Sequence, residues 1–461
     1  MFRLGVLLAL AVACLSAEEW TRFRGPNGSG ISADSGFPVE FGKDKNLVWR
    51  TVVRPGKSSP VLTKTRIFLT AFENGKLYTM ALDRASGKLL WERSEVRRHA
   101  QDVQQLNQPA AITPVTDGEN VYVFFKDFGL LAYNGDGKPL WRAPLGPFTN
   151  TQGLGASPIL AGDLVILQID QVDDSYIAAY STRNGELRWK IARQENEAWA
   201  TPLLFQPPGE APVIVTAGAG QLGVHRVSDG KRISSYPEAS PAMVASPVIA
   251  GNTVYAFGYG ADSASPFSRA LARFDKNKDG KITPDEYGDD SLLISMATYM
   301  GNRDGILDEE KWVAWGQHVA GYTGLFAVPL DTKSTTLKRA WRTDKGFANV
   351  VPSPLIHDGI LYSVKNGGIL SAYDTKTGEL LKTGRVTGAL GGYSSSPVFA
   401  EGRIYLASEE GKIAVVRPGR DWEVIRVNEI GDGFFATPAL SAGRMYARGA
   451  EALYCFGGGG R

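Results

Sequence analysis

Cysteine is nearly absent from this chain. Only Cys14 and Cys455 occur in 461 residues, so once a leader is removed no intrachain disulfide can hold the fold. Histidine is equally scarce: His99, His225, His318 and His357 show no metal-ligand spacing and belong to no nucleophile motif. No glycine-rich loop follows a strand and opens a helix, so a phosphate cradle of that kind is excluded; Gly457–Gly460 is only a tail. The longest apolar stretch, Leu4–Leu15, is too short to span a bilayer. With a net charge of +2 and both signs interspersed, there is no stripe for nucleic acid.

What is present begins with an export signal. Phe2-Arg3, the apolar run and Ser16-Ala17 before Glu18-Glu19 have the three parts of a cleavable leader. Residues 1–17 are therefore expected to be removed and the protein exported, to a periplasm or the medium. A second processing route is open. Ala11-Val12-Ala13-Cys14 loosely resembles a lipoprotein cleavage box, which would leave a membrane-anchored lipoprotein with its lipid on Cys14.

The dominant pattern is a repeat. A Ser-Pro or Thr-Pro pair opens an apolar run eight times: Ser59-Pro60, Thr113-Pro114, Ser157-Pro158, Thr201-Pro202, Ser246-Pro247, Ser353-Pro354, Ser396-Pro397 and Thr437-Pro438. The separations are 54, 44, 44, 45, 107, 43 and 41 residues. Each unit reads strand, polar turn, strand, then a third strand such as Tyr176–Tyr180 or Ile369–Tyr373. A Gly-bearing turn leads to a fourth strand that often carries Trp: Trp91, Trp141, Trp189, Trp341. Short strands at this period predict an all-β fold, an eight-bladed β-propeller with four-stranded antiparallel blades. The eighth unit lacks its outer strand, and Leu47–Val53 with Trp49 is expected to supply it and close the ring. The repeated aromatics are expected to pack between blades.

The one interval out of step holds something else. Between Tyr259 and Leu325 the strand pattern gives way to a charged, helix-like stretch. Within it, residues 275–286 match a twelve-residue EF-hand calcium loop. Asp275, Asn277 and Asp279 would offer side-chain oxygens, Lys281 its carbonyl, Thr283 a water-bridged contact and Glu286 a bidentate carboxylate. Gly280 permits the sharp turn. Lys276, Lys278 and Lys281 oppose the carboxylates, so the expected affinity is roughly micromolar to millimolar. A second loop around Asp304, Gly305, Leu307 and Asp308 has Met300 and Lys311 where the first has Asp275 and Glu286. It is expected to be a degenerate partner, bridged to the first through Ile282 and Leu307. Phe274, Tyr287, Trp312 and Trp315 would form the module's small core.

The chain thus divides into a leader (1–17), an N-terminal extension (18–46), blades one to five in part (47–260), a small α-helical EF-hand insertion in blade five (261–324), the remaining propeller (325–456) and a tail (457–461). The insertion lies between strands two and three of its blade, so it should overhang the face where the blade-to-blade loops converge. Those loops should line a central funnel, with Lys57, Gln108, Trp199, Tyr393 and Phe434 as leading candidates. Asn107, Gln152, Met243, Asn349 and Phe435 lie in the same loops, and Arg97, Arg98 and His99 lie in an extended first connection. Such a rim, aromatic and amide-rich, suits a flat or peptide-like ligand, or a partner protein. Asp170, Asp173 and Asp174 are expected to form a solvated acidic loop on that face, with a second metal site as the alternative.

Segments such as LSAYDTKTGELL (370–381) and LYTMALDRASGKLLWE (77–92) resemble the pyrroloquinoline quinone (PQQ)-type propeller repeat. The opening Trp20-Thr21-Arg22-Phe23-Arg24-Gly25-Pro26-Asn27-Gly28 is similar to the start of exported PQQ-like propeller proteins. The resemblance covers residues 20–456 apart from the helical insert. It implies one of two activities. Quinoprotein dehydrogenases hold PQQ and calcium in the funnel, beside an adjacent cysteine pair and a catalytic Asp. Other members are non-catalytic, including an outer-membrane assembly lipoprotein. This chain has no adjacent cysteine pair. The expectation is a calcium-binding, non-catalytic scaffold for a ligand or protein; the alternatives are a PQQ-dependent oxidoreductase and a lipid-anchored assembly factor.

Overall fold

The computed structural model describes residues 19–99, 107–150, 152–260, 266–290, 293–294, 296–297, 304–346 and 351–458. The expected leader (1–17), with Cys14, and Asn349 lie outside them. Eight sheets follow one another in chain order, each with four antiparallel strands running from an inner to an outer edge, and the seventh gains a fifth, parallel strand, Ile31–Ser32. The third is representative: Ile159–Ala161, Leu164–Ile169, Tyr176–Ser181 and Leu187–Ala192. Its two middle strands are buried along their whole length, while the outer strand alternates toward solvent. Middle strands covered on both faces by neighbouring blades must be apolar on both faces, which explains runs such as Leu-Val-Ile-Leu-Gln-Ile.

The ring closes as the sequence implies. Leu47–Val52 pairs antiparallel with Ala452–Gly457 and becomes the outer strand of blade eight. Trp49 then docks on the turn of blade one as the other outer-strand tryptophans dock on theirs. Trp141 lies over Gly185 of the next blade, and its Nε1 donates to the Thr182 carbonyl at 2.8 Å. A Cβ on Gly185 would sit 2.5 Å from Trp141 Cε3, and its φ of +72° already favours glycine. Trp49 on Gly87, Trp91 on Gly137, Trp189 on Gly230 and Trp341 on Gly378 repeat the contact. The tryptophans therefore weld blade to blade.

At the inner edge a second device closes on itself. The backbone N–H of each Ser or Thr preceding proline donates to the hydroxyl of its counterpart in the following blade, at 2.9–3.2 Å. The chain of bonds runs from Ser59 to Thr113, around all eight blades, and returns from Thr437 to Ser59. Proline explains the register. It holds the preceding residue extended and brings no N–H of its own to the crowded axis.

An N-terminal arm, which the sequence pattern did not place, crosses the axis at the far end of the inner strands. Trp20 and Thr21 carbonyls accept from Leu62 and Thr116 of blades one and two. Arg22 and Arg24 reach the Pro202 and Pro354 carbonyls of blades four and six, at 2.7 and 2.6 Å. Asn27 exchanges two bonds with Leu204, and Ile31–Ser32 pairs parallel with the inner strand of blade seven. The tunnel is thereby stoppered at one end.

The helical segment stands between the second and third strands of blade five, Thr253–Gly258 and Gly324–Pro329. It contains α1 (Phe267–Phe274), α2 (Pro284–Tyr287) and α3 (Glu309–Val319) among the described residues. Ile282 and Leu307 form a two-bond bridge, each N–H 2.9 Å from the other's carbonyl. Phe267, Ile282, Tyr287 and Leu307 make the small core, with Phe274, Trp312 and Trp315 packed partly against it. Its stem touches the connection between blades four and five, where Gly321 meets the Pro241 ring and Tyr259 pairs with Ala242.

Candidate functional site

The blade-to-blade loops surround a cavity of about 290 Å³ on the propeller axis. All eight Ser/Thr residues of the inner ring line its wall. Phe23 of the N-terminal arm also lines it; the arm that stoppers the tunnel thus contributes to the pocket. Lys57, Asn107, Gln152, Trp199, Ser394 and Phe435 complete the polar and aromatic lining.

Trp199, Asn107 and Ser394 are held from behind. Trp199 Nε1 donates to the Gly153 carbonyl at 2.8 Å, and Asn107 Nδ2 donates to the carbonyls of Gln152 and Gly153. Lys57 Nζ lies 4.3 Å from the centre of the Phe435 ring. Burial pulls the Lys57 amine below the ordinary lysine range, partly opposed by the Glu409 charge nearby. Glu409 itself accepts from Ser394 Oγ at 2.5 Å.

Of the five leading sequence candidates, the structure brings Lys57 and Trp199 together at the cavity and leaves out the others. Phe434 is fully buried against Tyr454, and its neighbour Phe435 takes the axial position. Both lie in the loop before the strand Ala439–Ser441, where a one-residue difference decides between core and cavity. Tyr393 is 2% exposed and spends its hydroxyl on the Ala389 carbonyl at 2.8 Å. Gln108 does not line the cavity; its carbonyl caps a tight turn by accepting from Ala111. Met243 is likewise core. Arg97 pairs with Asp127 at 2.7 Å, away from the axis.

The acidic loop needs a correction. Asp170 is 1% exposed and not solvated. It receives two bonds from Arg193, at 2.7 and 3.2 Å, and a third from Gln168. Burial pushes its carboxyl up to about 6, against the pull of Arg193. Asp173 and Asp174 remain exposed. The arginine that captures Asp170 lies 23 residues away, a pairing no local pattern reveals.

In the 275–286 loop the oxygens of the motif are turned onto the loop's own backbone. Asp275 accepts from Asp279 and Gly280, Asn277 Oδ1 from Asp279, and Asp279 from Lys281. Glu286 accepts from Lys276, Asn277 and Thr283 at 2.9–3.3 Å. These bonds, led by the Thr283 N–H, hold the Glu286 carboxyl below its usual range. Among the described residues no three acidic, His or Cys side chains converge on a metal-sized point. Gly280 has the expected positive φ of +81°.

Sequence reasoning missed the hydroxyl ring and the arm. The Ser/Thr-Pro register was visible, but its place on the axis follows only from ring closure.

A family model described as outer membrane protein assembly factor BamB matches residues 39–149, 79–268 and 327–456. Most of the helical insertion falls outside the match. A search of curated proteins finds no match. Among solved structures, BamB from Moraxella catarrhalis is 12% identical, with a TM-score of 0.55 over 88% of this chain and 100% of that one. A europium-containing methanol dehydrogenase is 11% identical, with a TM-score of 0.59 over 93% and 89%. The computationally designed Ika8 protein is 14% identical, with a TM-score of 0.55 over 89% and 98%. At such identities the likeness concerns fold.

Proposed function

The chain belongs to the family described as outer membrane protein assembly factor BamB, and from that premise we propose an exported, calcium-binding PQQ-like propeller acting as a non-catalytic scaffold for a ligand or partner protein. The observation that carries this reading is the lining of the axial cavity, which is built of hydroxyls, amides, aromatic rings and one lysine. Such a lining suits binding and orienting a ligand, and among the described residues Lys57 is its one candidate for proton exchange. Among the described residues no helix is long and apolar enough to cross a membrane.

Calcium is assigned to the 275–286 loop of an EF-hand insertion. Asp275, Asn277, Asp279, Glu286, the Lys281 carbonyl and Thr283 form an all-oxygen donor set, which suits a hard cation. The loop's bonds to its own N–H groups support this reading, because they preshape it around the side-chain oxygens. Terbium luminescence is expected to report binding that Glu286→Gln abolishes; undiminished binding would remove the assignment.

A PQQ-dependent oxidoreductase is the second reading, favoured by Trp199 and Phe435 at the cavity wall and by the likeness to the methanol dehydrogenase fold. The residues fit it less well, since among the described residues no carboxylate lines the cavity to hold a metal or take a proton. Dye reduction by an alcohol after loading with PQQ and calcium would overturn the non-catalytic proposal. A lipid-anchored assembly factor is the third, and the mass of the mature N-terminus decides whether Cys14 carries lipid.

A further inference from the structure

We infer that the axial cavity is a receptor for the oxyanion end of a small organic ligand, with the ring hydroxyls as hydrogen-bond donors and Lys57 as the cation. The inference rests on reading the cavity as a ligand site and adds the chemistry of what enters it.

The ring supplies the main argument. Each of its eight hydroxyls accepts one backbone N–H, which occupies a lone pair and leaves the O–H proton to be placed. Among the described residues, none of these eight hydroxyls donates to a protein acceptor. All eight face the cavity. Each hydroxyl thus keeps one O–H and one lone pair for what enters, and the eight O–H groups can all turn toward an acceptor on the axis.

Charge points the same way. Among the described residues Lys57 is the one charged residue lining the cavity, with the Glu409 charge nearby. Just beyond the ring, Arg22 and Arg24 donate to Pro202 and Pro354, the residues that follow ring members Thr201 and Ser353. Arg24 is 0% exposed and Arg22 6%, and among the described residues neither has a carboxylate within ion-pair distance. Two buried cations compensated only by carbonyl dipoles leave a positive potential along the axis, and burial keeps it from being screened. Charge-assisted bonds from hydroxyls and ammonium to an oxyanion are stronger than neutral ones. Phe23 and Phe435 limit the space around it. The shared chemistry is a carboxylate or a phosphate group.

Isothermal titration of the full calcium-loaded chain with succinate, inorganic phosphate and the neutral isostere succinamide tests this. At least one anion is expected to bind about tenfold more tightly than succinamide, and Lys57→Gln to lose about tenfold of that affinity. Lys57→Gln leaves the ring bonds intact, so a fold defect does not cloud it; Thr113→Val with Thr201→Val removes two donors and should weaken the anion further. Equal binding of succinate and succinamide, lost in Trp199→Ala, would overturn the anion preference while keeping the cavity as a ligand site. Anion binding that survives both Lys57→Gln and Trp199→Ala lies elsewhere and overturns both readings. Failure of both anions to bind overturns the inference and leaves the partner-protein reading in place.

Discussion

In the blades, residues such as Val165, Ile214 and Ala372 are wholly buried, and the backbone is paired strand to strand. In the 275–286 loop most residues are exposed, and the polar side chains bond their own backbone. The first arrangement draws its stability from apolar area and repeated interblade contacts. The second has a core of a few side chains, so the ion proposed for it would supply a far larger share of its stability. On that proposal one chain combines a self-sufficient ring with an appendage whose order is conditional.

The sharpest way to break this contrast is to attack the weld between blades. Gly185→Val forces a branched side chain into a left-handed backbone against the Trp141 ring. It should cost about 3 kcal/mol or more, read as a lowered denaturation midpoint of the whole propeller. Gly162→Ala, with nothing within 4 Å of the added carbon, should cost only about 1–2 kcal/mol. Equal losses would show that the tryptophan contact is not a joint.

Calcium withdrawal should act on the other region alone. At a hundredfold excess over its dissociation constant, a bound ion stabilises by about 2.7 kcal/mol. A chelator is therefore expected to expose the segment between Phe267 and Val319 to protease and reduce helical circular dichroism, while the strand signal and the main melting transition persist. Joint loss of both signals would erase the distinction.

A smaller effect sharpens the picture of the ring. His225 lies buried in blade four, with Nδ1 against the Gly230 carbonyl and Nε2 against the Thr216 hydroxyl. Burial, with Arg193 and Arg232 adding, pushes its pKa down to about 3. The unfolded chain, at about 6.5, then binds the extra proton. The stabilisation is present above pH 6.5 and is lost as the pH falls toward 3. Acidification from pH 7 to 5.5 should cost about 1.4 kcal/mol through this residue, and His225→Gln should flatten that part of the stability–pH curve.

Much of the fold was legible because each blade repeats the same short-range pattern. Ser/Thr-Pro, a polar turn and a Gly-bearing turn before Trp recur often enough that the sheet number, the strand order and the closing strand Leu47–Val52 could be read. The bridge between Ile282 and Leu307 was legible for the same reason, since a loop motif fixes its own geometry. The candidate site was less so. Phe435 and Phe434 differ by one position, and only the turn of the backbone decides which reaches the axis. The arm from Trp20 to Ser32 has no periodicity, and the partner of its Arg24 lies 330 residues away along the chain.

The amino-acid sequence determined the number of blades and their seam, because strand patterning and turn chemistry act over a few residues and were written eight times. Tertiary structure alone decided what those repeats surround. Eight hydroxyls become one wall, with Phe23 in its lining and Arg22 and Arg24 just beyond it, only when residues from distant blades are brought to a common axis. Side-chain direction and long-range proximity are set by ring closure, and no local pattern carries that information.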